Sequence, residues 1–499
     1  MQRHSKFSKL MIFVLIAVLS LTAFVGCSQP TAQVHHRVMV DSAIEESVTK
    51  TPKYIFFMIG DGLGAPQREI TEFYLRQMTG NPSANLFMNT LDYAGMTRTY
   101  SYDTLVTDSA ASGTALATGH KTNNDMIGQA PDGSNLKNLV EAAQEKGLAT
   151  GLISTTRITH ATPASFGAHV DHRDKENEIA EQYVESNIDF FAGGGLRHFV
   201  PQNSTLVSSK REDNRDLLKE FEARGYSVFT SAEEMRDPAR AIREQDKVVA
   251  LPTSSHVPYE IDRLNSKQDA VSLVEMVDIG IEVLSKKPNG FFMMIEGGRI
   301  DHAAHAHDPA GVIYDTLAFD EAVKRVYDFY LEHPDETLIV VGGDHETGGL
   351  GLGIKRNYFL NLEVLDDAKA SIEDATKAAY VGDREAYFEF IAENLGLDDL
   401  TREEKEAIIK AMDLEDSIPG KKGEKKYDIH MWGYNGPVEM TTANILSERA
   451  AISWTTYAHS GSAIPLTAHG VGAENFTKFL ENVDVPKIIA EIAGFDLGH

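Results

Sequence analysis

The segment Tyr54-Ile-Phe-Phe-Met-Ile-Gly60-Asp61-Gly62 decides the fold class of this chain. An unbroken apolar run followed by Gly-Asp-Gly is typical of a buried strand in a parallel sheet that ends in a polar loop. Similar apolar runs alternate with stretches of helical periodicity further along the chain, at residues 150–154, 189–192, 248–251, 291–295 and 338–341. This alternation predicts an α/β fold with a large, mostly parallel central sheet flanked by helices.

The composition is that of a globular protein with a sizeable core, because 42% of the 499 residues are apolar and 24% are charged. The charge is strongly acidic, since 47 lysines and arginines stand against 74 aspartates and glutamates and give a formal net charge of −27. The sequence has no stripe of basic residues, which argues against a nucleic-acid-binding surface. If the substrate is an anion, metal ions or a placed arginine must supply positive charge locally.

The N-terminus has the pattern of an export signal that ends at the sole cysteine of the chain, Cys27. A basic start precedes an uncharged run over residues 10–26, which is too short for a stable membrane span. We expect residues 1–26 to be a signal peptide, Cys27 to be lipidated, and residues 27–50 to include a polar tether. The protein would then be exported and membrane-anchored, in the periplasm or at the cell surface. The alternative is ordinary cleavage nearby, with no lipid on Cys27.

Polar residues follow four of the predicted strands at the point where each strand ends. The carboxyl ends of parallel strands meet at one edge of a sheet, which is where ligands bind in such folds. Any one of these segments alone would be an ordinary polar loop, but four of them predict a common site. The residues are Asp61, His160, Thr162, Glu296, Asp344 and His345.

Residues 296–307 hold the highest density of metal-binding side chains. On a helix, Asp301 and His305 share one face, and zinc accepts their mixture of carboxylate oxygen and imidazole nitrogen. His459 and His469 stand among small residues and offer further imidazoles. Together with the carboxylates at the strand ends, they predict a catalytic centre of two or more metal ions. The histidines to which we assign no role are His198, His256, His307, His333 and His430.

Ser109 is the candidate nucleophile. It stands in Asp108-Ser109-Ala-Ala-Ser-Gly-Thr, a helix start followed by small residues, where backbone N–H groups and the helix dipole favour a phosphate. The simpler interpretation is a helix cap formed by the aspartate or the serine. The sequence has no Gly-x-Ser-x-Gly motif and no spacing of a histidine-activated triad, so a metal ion would have to lower the pKa of the hydroxyl.

Taken together, these motifs resemble the alkaline phosphatases, from the Gly-Asp-Gly after the first strand to the late His459. The resemblance implies hydrolysis of small-molecule phosphate monoesters with release of inorganic phosphate. It makes Ser109 the transient phosphoserine and Arg173 a bidentate grip on the phosphate. It also implies a homodimer with two Zn²⁺ and one Mg²⁺ per subunit and a catalytic domain over residues 51–499.

The resemblance also assigns the ligands of the three ions. One zinc would be held by Asp301, His305 and His459, the second by Asp61, Asp344 and His345, and the magnesium by Asp61, Thr162 and Glu296. Two positions depart from the best-known bacterial pattern, His160 where that pattern has aspartate and His302 where it has lysine. Either could ligate the third ion or contact its ligands, and a neutral imidazole would hold hydrated magnesium more weakly than a carboxylate.

Residues at about 350–450 carry no site motif, and we expect them to form a helical crown or cap inserted before the last metal ligand. Within this stretch, Thr401-Arg-Glu-Glu404 is a capping box and predicts a helix start. Residues 383–395 have the apolar spacing of another helix.

Three alternative functions stay open from the sequence. A sulfatase or phosphodiesterase of the same superfamily would share the sheet and the metals. A metal-dependent phosphoglycerate mutase would share them too, although such enzymes are not normally exported. A surface lipoprotein that scavenges metal would keep the ligands without turnover. Asp108-Ser109 together with Arg173 favours a phosphate monoesterase over these alternatives.

Overall fold

The structure is a computed structural model that describes residues 50–267, 269–420 and 425–498. The predicted signal peptide and the predicted lipidation site Cys27 lie outside the described residues, and so does all of the tether except Lys50. None of the described helices is long and apolar enough to span a membrane.

The described residues build a ten-stranded sheet and a small two-stranded one. The strands are β1 (Tyr54–Gly60), β2 (Tyr93–Arg98), β3 (Ala149–Arg157), β4 (Phe190–Gly194), β5 (Ser227–Phe229), β6 (Val248–Thr253), β7 (Phe291–Gly297), β8 (Thr337–Gly343), β9 (Glu346–Thr347), β10 (His459–Ser460), β11 (Ile464–Gly470) and β12 (Phe479–Glu481). The order across the large sheet is β12-β2-β11-β8-β1-β7-β3-β4-β6-β5, and β9 pairs with β10. Among these described strands of the large sheet, only β11 runs antiparallel to its neighbours.

The predicted α/β fold is confirmed. Each predicted apolar run forms one strand, and these strands lie side by side as β8-β1-β7-β3-β4-β6, all parallel. The apolar pattern of the sequence does not predict β2, β5, β11 and β12. β5 and β12 have only three residues each and β2 is partly exposed, so their apolar signal is weak.

The central strand β1 is buried along its whole length. Its side chains alternate between two cores on opposite faces of the sheet, with Phe56 in one and Phe57 in the other. The long helix Pro309–Glu332 covers the first face, where Phe329 packs edge-on against Phe56 with ring centroids 5.5 Å apart. Burial on both faces explains why this strand reads as a continuous apolar run.

Helices lie between most of the strands. The α-helices are Ala65–Thr79, Ser109–Thr118, Leu139–Glu145, Ala161–Ala164, Glu176–Glu185, Leu217–Ala223, Ala232–Arg236, Glu260–Asn265, Leu273–Leu284, Arg299–His305, Pro309–Glu332, Lys377–Ala379, Arg384–Leu395, Arg402–Ser417, Ile429–Trp432, Pro437–Arg449 and Asp484–Ala493. Single 3₁₀ or π turns lie at Phe87–Thr90, Leu196–His198, Ile242–Glu244, Leu362–Leu365, Ile372–Thr376 and Ala473–Phe476. Two predicted helix starts are confirmed: Thr401 and Glu404 form the capping box of Arg402–Ser417, and Asp383 caps Arg384–Leu395.

Candidate active site

The ends of β1, β3, β7 and β8 meet at one edge of the sheet, as predicted. They carry the buried residues Asp61, Thr162, Glu296 and Asp344. A cleft of about 720 Å³ adjoins this edge, and its walls include Ser109, Arg173 and His459. The strand-end side chains and the cleft therefore form one candidate site.

Gly62 allows two chain segments to approach each other closely after β1. Its φ is +73°, in the left-handed region, and a Cβ at this position would lie 2.8 Å from Asp301 Cα. Its N–H donates to Asp344 Oδ1 at 3.2 Å. A residue with a side chain would push these segments apart. The geometry of this turn therefore requires glycine at the second glycine of Gly-Asp-Gly.

Ser109 is the first residue of the helix Ser109–Thr118 and is 1% exposed. Asp108 caps this helix, because its Oδ1 accepts the N–H of Ala111 at 2.9 Å. The helix cap offered as the simpler interpretation of this motif is therefore present, and Asp108 forms it. The capping aspartate leaves the serine hydroxyl free to face the site, where Ser109 Oγ lies 3.1 Å from His345 Nε2.

Arg173 lies beside Ser109 and is held on two sides. Its Nη1 donates to Asp108 Oδ2 at 2.9 Å, and its Nη2 donates to His160 Nε2 at 3.2 Å. The backbone N–H of Arg173 also donates to the carbonyl of Asp125 at 2.8 Å. The guanidinium is thus fixed next to the predicted nucleophile before any ligand arrives.

We use the name first ion group for the residues predicted to hold the first zinc, Asp301, His305 and His459. Their ligand atoms point at one another. His305 Nδ1 donates to the carbonyl of Tyr457 at 2.5 Å, and His459 Nδ1 donates to the carbonyl of Thr107 at 2.8 Å. The two Nε2 atoms lie 3.2 Å apart, and each lies within 3.5 Å of Asp301 Oδ1. Two imidazole lone pairs and a carboxylate oxygen that face each other in this way suit a cation between them.

The pKa values of the first ion group agree with this view. Burial lowers the pKa of His459 to about 4, which keeps its ring neutral. Against the effect of burial, Asp301 raises the pKa of His305, and the neighbouring imidazoles hold the pKa of Asp301 well below its ordinary value. Asp301 therefore keeps its negative charge, which favours a cation at this position.

The second ion group consists of the residues predicted to hold the second ion, Asp61, Asp344 and His345, and their ligand atoms lie within 4.8 Å of one another. His345 Nε2 lies 3.4 Å from Asp61 Oδ1 and 3.2 Å from Asp344 Oδ2. Within the described part of the chain, neither carboxylate oxygen of Asp61 has a hydrogen-bond partner, although the side chain is fully buried. Burial and neighbouring carboxylates raise the pKa of Asp61 well above its ordinary value and that of Asp344 to about 8. A buried carboxylate without a partner, such as that of Asp61, is suited to bind a cation.

Thr347 links the first two ion groups. Its hydroxyl donates to Asp301 Oδ1 at 2.5 Å, so its oxygen accepts from His345 Nδ1 at 3.2 Å. The proton of the neutral His345 ring is therefore on Nδ1, and Nε2 is free to act as a ligand. This role of Thr347 cannot be predicted from the sequence, because a threonine two residues after His345 resembles any other threonine.

The third ion group consists of the predicted magnesium ligands Asp61, Thr162 and Glu296, together with the nearby His160. Ligand atoms of Asp61, His160 and Glu296 lie within 4.8 Å of one another. Glu296 Oε2 accepts hydrogen bonds from two hydroxyls of β3, Ser154 and Thr156, whereas no described residue pairs with its Oε1. Burial raises the pKa of Glu296 to about 7.

The hydrogen bond from Arg173 fixes which nitrogen of the His160 ring carries the proton. Because Arg173 donates to Nε2, the proton of the neutral ring is on Nδ1. This Nδ1 is buried and has no partner among the described residues. His302 is fixed in a similar way, since Arg299 Nη1 lies 2.7 Å from its Nδ1, and burial lowers the pKa of His302 to about 3.

The structure places two histidines, His256 and His469, differently from the sequence-based expectation. His256, to which the sequence gives no role, lines the cleft with its ring 4.5 Å from that of His302. His469, predicted as a further candidate ligand, lies on β11 opposite Ile339, in the interior of β8 and away from its carboxyl end. It packs against Tyr330 with ring centroids 4.4 Å apart. His256 lies beyond the carboxyl end of β6, whereas His469 lies within β11, and the amino-acid composition around them does not reveal this difference.

Comparisons with known proteins point to one family. A family model described as alkaline phosphatase matches residues 52–495. The chain is 32% identical to alkaline phosphatase 3 of Bacillus subtilis (strain 168), over 89% of this chain and 90% of that protein. The crystal structure of Thermus thermophilus alkaline phosphatase is similar with a TM-score of 0.78 at 30% identity, over 90% of this chain and 93% of that one.

The alkaline phosphatase of the Antarctic bacterium TAB5 is 28% identical in sequence, with a TM-score of 0.62, over 90% of this chain and 99% of that one. In one of its structures a histidine is replaced by aspartate, and magnesium is bound in a site called M3.

Proposed function

The chain belongs to the alkaline phosphatase family and hydrolyses phosphate monoesters, and from this premise we propose that Ser109 is the nucleophile and Arg173 the phosphate clamp. The position of Ser109 carries the proposal. Its hydroxyl lies at a helix N-terminus, 3.1 Å from His345 Nε2 and next to the fixed guanidinium. A phosphoryl group at this place meets backbone N–H groups, an arginine and a nucleophile together.

The reaction proceeds in two displacements. The oxygen of Ser109 forms a bond to phosphorus while the bond from phosphorus to the leaving alkoxide breaks. Water then attacks the phosphoserine, which restores the serine and releases inorganic phosphate. Through both steps Arg173 holds two phosphate oxygens, and the helix N-terminus stabilises the charge on them.

The three ion groups would hold two Zn²⁺ and one Mg²⁺ per subunit. We propose zinc for the first and second groups, where imidazole nitrogens are present, and magnesium for the third, which has mostly oxygen ligands. The buried, unpaired oxygens of Asp61 and Glu296 support this assignment. When bound, the ions lower the pKa of the serine hydroxyl and neutralise charge on the leaving oxygen.

His160 is proposed to orient the third ion group and Arg173 together, because its ring faces both. The proton on Nδ1 makes this ring a donor, so it does not supply a lone pair to a cation in this arrangement. The magnesium-bound TAB5 mutant, in which aspartate replaces a histidine, is in line with a weak preference of such a histidine for magnesium. His302, held by Arg299, is proposed to line the same cleft as a second donor.

The sulfatase or phosphodiesterase alternative is not favoured. The relatives that match most of the chain at about 30% identity are alkaline phosphatases. The same comparisons disfavour a phosphoglycerate mutase or a metal scavenger without turnover, since each part of the proposed catalytic set is present in one site.

Several further proposals rest on the sequence alone. We propose that residues 1–26 direct export, that Cys27 is lipidated, and that the protein is anchored at the periplasmic or outer face of a membrane. We also propose that the helices at about 350–450 form a crown and that two subunits associate as a homodimer.

The decisive experiment for the nucleophile is phosphate trapping. Ser109→Ala should lower turnover by several orders of magnitude and leave the metal content unchanged. Denaturing the wild-type enzyme in acid with labelled substrate should place the label on Ser109. The control is Ser165→Ala, because this buried hydroxyl bonds the carbonyl of Ala161 and does not line the cleft. Label on any other residue refutes the assignment.

A further inference from the structure

His307 has no part in the proposed reaction, yet it packs against the segment that completes the first ion group. It comes two residues after the helix Arg299–His305 and is 5% exposed. Its ring is stacked between two others: Trp454 lies 5.0 Å away with the planes 2° apart, and Tyr457 lies 4.5 Å away with the planes 13° apart. A histidine enclosed on both faces in this way is fixed in position, and so are the rings around it.

Hydrogen bonds connect the same residues. His307 Nε2 lies 3.0 Å from the carbonyl of Thr456. Ser447 Oγ donates to the carbonyl of His307 at 3.2 Å and accepts from Trp454 Nε1 at 2.9 Å. The ring and the backbone of His307 are thus both tied to residues 454–457.

Residues 454–459, which we name the clamp segment, supply two parts of the first ion group. The carbonyl of Tyr457 accepts from His305 Nδ1, and His459 is itself a ligand candidate. The proton that the Tyr457 carbonyl holds on Nδ1 leaves the His305 Nε2 lone pair directed at the cation position. A shift of the clamp segment would therefore disturb both imidazoles of the group.

The backbone conformation of His307 is also uncommon and also points to a specific role. Its φ is +52°, in the left-handed region that few residues with a Cβ adopt. This conformation ends the helix that carries Asp301 and His305, and it turns the ring of His307 toward the clamp segment. Such a conformation persists where the surrounding contacts fix it.

We propose that His307 is a positioning residue for the first ion group. It holds the clamp segment so that the Tyr457 carbonyl and the His459 ring face His305. The proposal rests on the ligand assignment of the proposed function and goes beyond it, because His307 contacts no ion. The stacked ring and its hydrogen bond to the Thr456 carbonyl act together, and they affect the first ion group more than the second, which has no ligand in the clamp segment.

The test compares zinc affinity and cobalt spectra of variants of the full-length enzyme. His307→Asn removes the ring and keeps a residue that tolerates left-handed backbone. His307→Phe keeps a stacking ring without the polar atoms. His333→Asn is the matched control, because the ring of His333 packs between Tyr54 and Phe329 and lies away from the cleft. Competition with a chromogenic chelator gives the two zinc affinities, and the visible absorption of the cobalt-substituted enzyme reports ligand geometry.

We expect His307→Asn to lower the binding affinity of one of the two zinc ions by about tenfold to a hundredfold. This is the range found when a partner of a metal ligand is lost. The other ion should lose less affinity, His307→Phe should lose less than His307→Asn because it keeps the stacking, and His333→Asn should match the wild type; the cobalt absorption should change most in His307→Asn. Equal loss of both ions, equal loss in His307→Phe, or an unchanged His307→Asn overturns the proposal. Asp301→Ala separates this result from the ligand assignment, because an unaltered zinc content in that variant refutes the metal site itself.

Discussion

Removal of the metal ions should make the stability of this protein fall as the pH rises, and Glu296 is the residue on which this effect can be measured. Its carboxyl group is fully buried, and no described residue pairs with Oε1. Glu296→Gln replaces it with a neutral group of nearly the same shape. We compare the two metal-free proteins between pH 5 and pH 8.

The sign and size follow from the pKa of Glu296, which burial raises from 4.5 to about 7 in the folded chain. The folded state keeps its proton over a pH range in which the unfolded chain has lost it. The stability that this proton contributes is full below pH 4.5 and is lost as the pH rises through 7. Each pKa unit corresponds to about 1.4 kcal/mol, so wild type should lose about 2–3 kcal/mol more than Glu296→Gln between pH 5 and pH 8.

Chemical denaturation of the chelator-treated proteins at several pH values measures this difference. Glu404→Gln is the control with the opposite sign, because Arg449 lowers the pKa of Glu404 to about 2. Its contribution is present above pH 4.5 and is lost only below that, so this variant should keep the wild-type slope between pH 5 and pH 8. Added zinc and magnesium should stabilise the wild type most at pH 8, where cations replace the missing proton.

Equal pH slopes in metal-free wild type and Glu296→Gln would refute this reasoning. That result would mean that the carboxyl group is ionised in the folded chain without a cation, and hence that the third ion group is not built to need one.

Three more predictions concern separate parts of the molecule. Arg173→Ala should weaken inhibition by inorganic phosphate about tenfold to a hundredfold, since a charged double hydrogen bond is lost, while zinc content stays constant; an unchanged inhibition constant would remove Arg173 from the site. His160→Asp should lower the midpoint of magnesium activation in zinc-loaded enzyme and reduce inhibition by excess zinc, because a carboxylate is a harder ligand; identical magnesium titrations would contradict this. Cys27→Ser should move the protein from membranes to the soluble fraction on centrifugation, whereas a wild-type protein that is already in the soluble fraction would indicate an ordinary signal peptide.

The sequence predicts the central strands because parallel strands buried on both faces are continuous apolar runs. It predicts the carboxylates of the site for a related reason, since Asp61 and Asp344 come directly after such strands. It does not reveal β11, which mixes polar residues with apolar ones, and so it offers His469 as a ligand although this residue lies inside the sheet.

The missed residues share a different property. Thr347, the carbonyl of Tyr457 and the ring of His307 act on the ligands through hydrogen bonds or stacking between segments that are far apart in the sequence. Tyr457 and His305, for example, are separated by 152 positions. Residue types that bind metal can be recognised locally, whereas the groups that orient them become visible only when the chain is folded.

The charges of the site explain how a chain with a net charge of −27 acts on an anion. The proposed phosphate clamp, Arg173, is already hydrogen-bonded to Asp108, and it interacts electrostatically with the buried carboxylates of Asp61 and Asp301. The imidazoles add lone pairs, because the partners of His305, His345 and His459 place their protons on Nδ1. Above pH 8, where Glu296 and Asp344 have lost their protons, a phosphate that entered the metal-free site would meet negative groups in a low-dielectric environment. At that pH cations must therefore bind before phosphate, and the metal-free protein should have no measurable affinity for phosphate even with Arg173 in place.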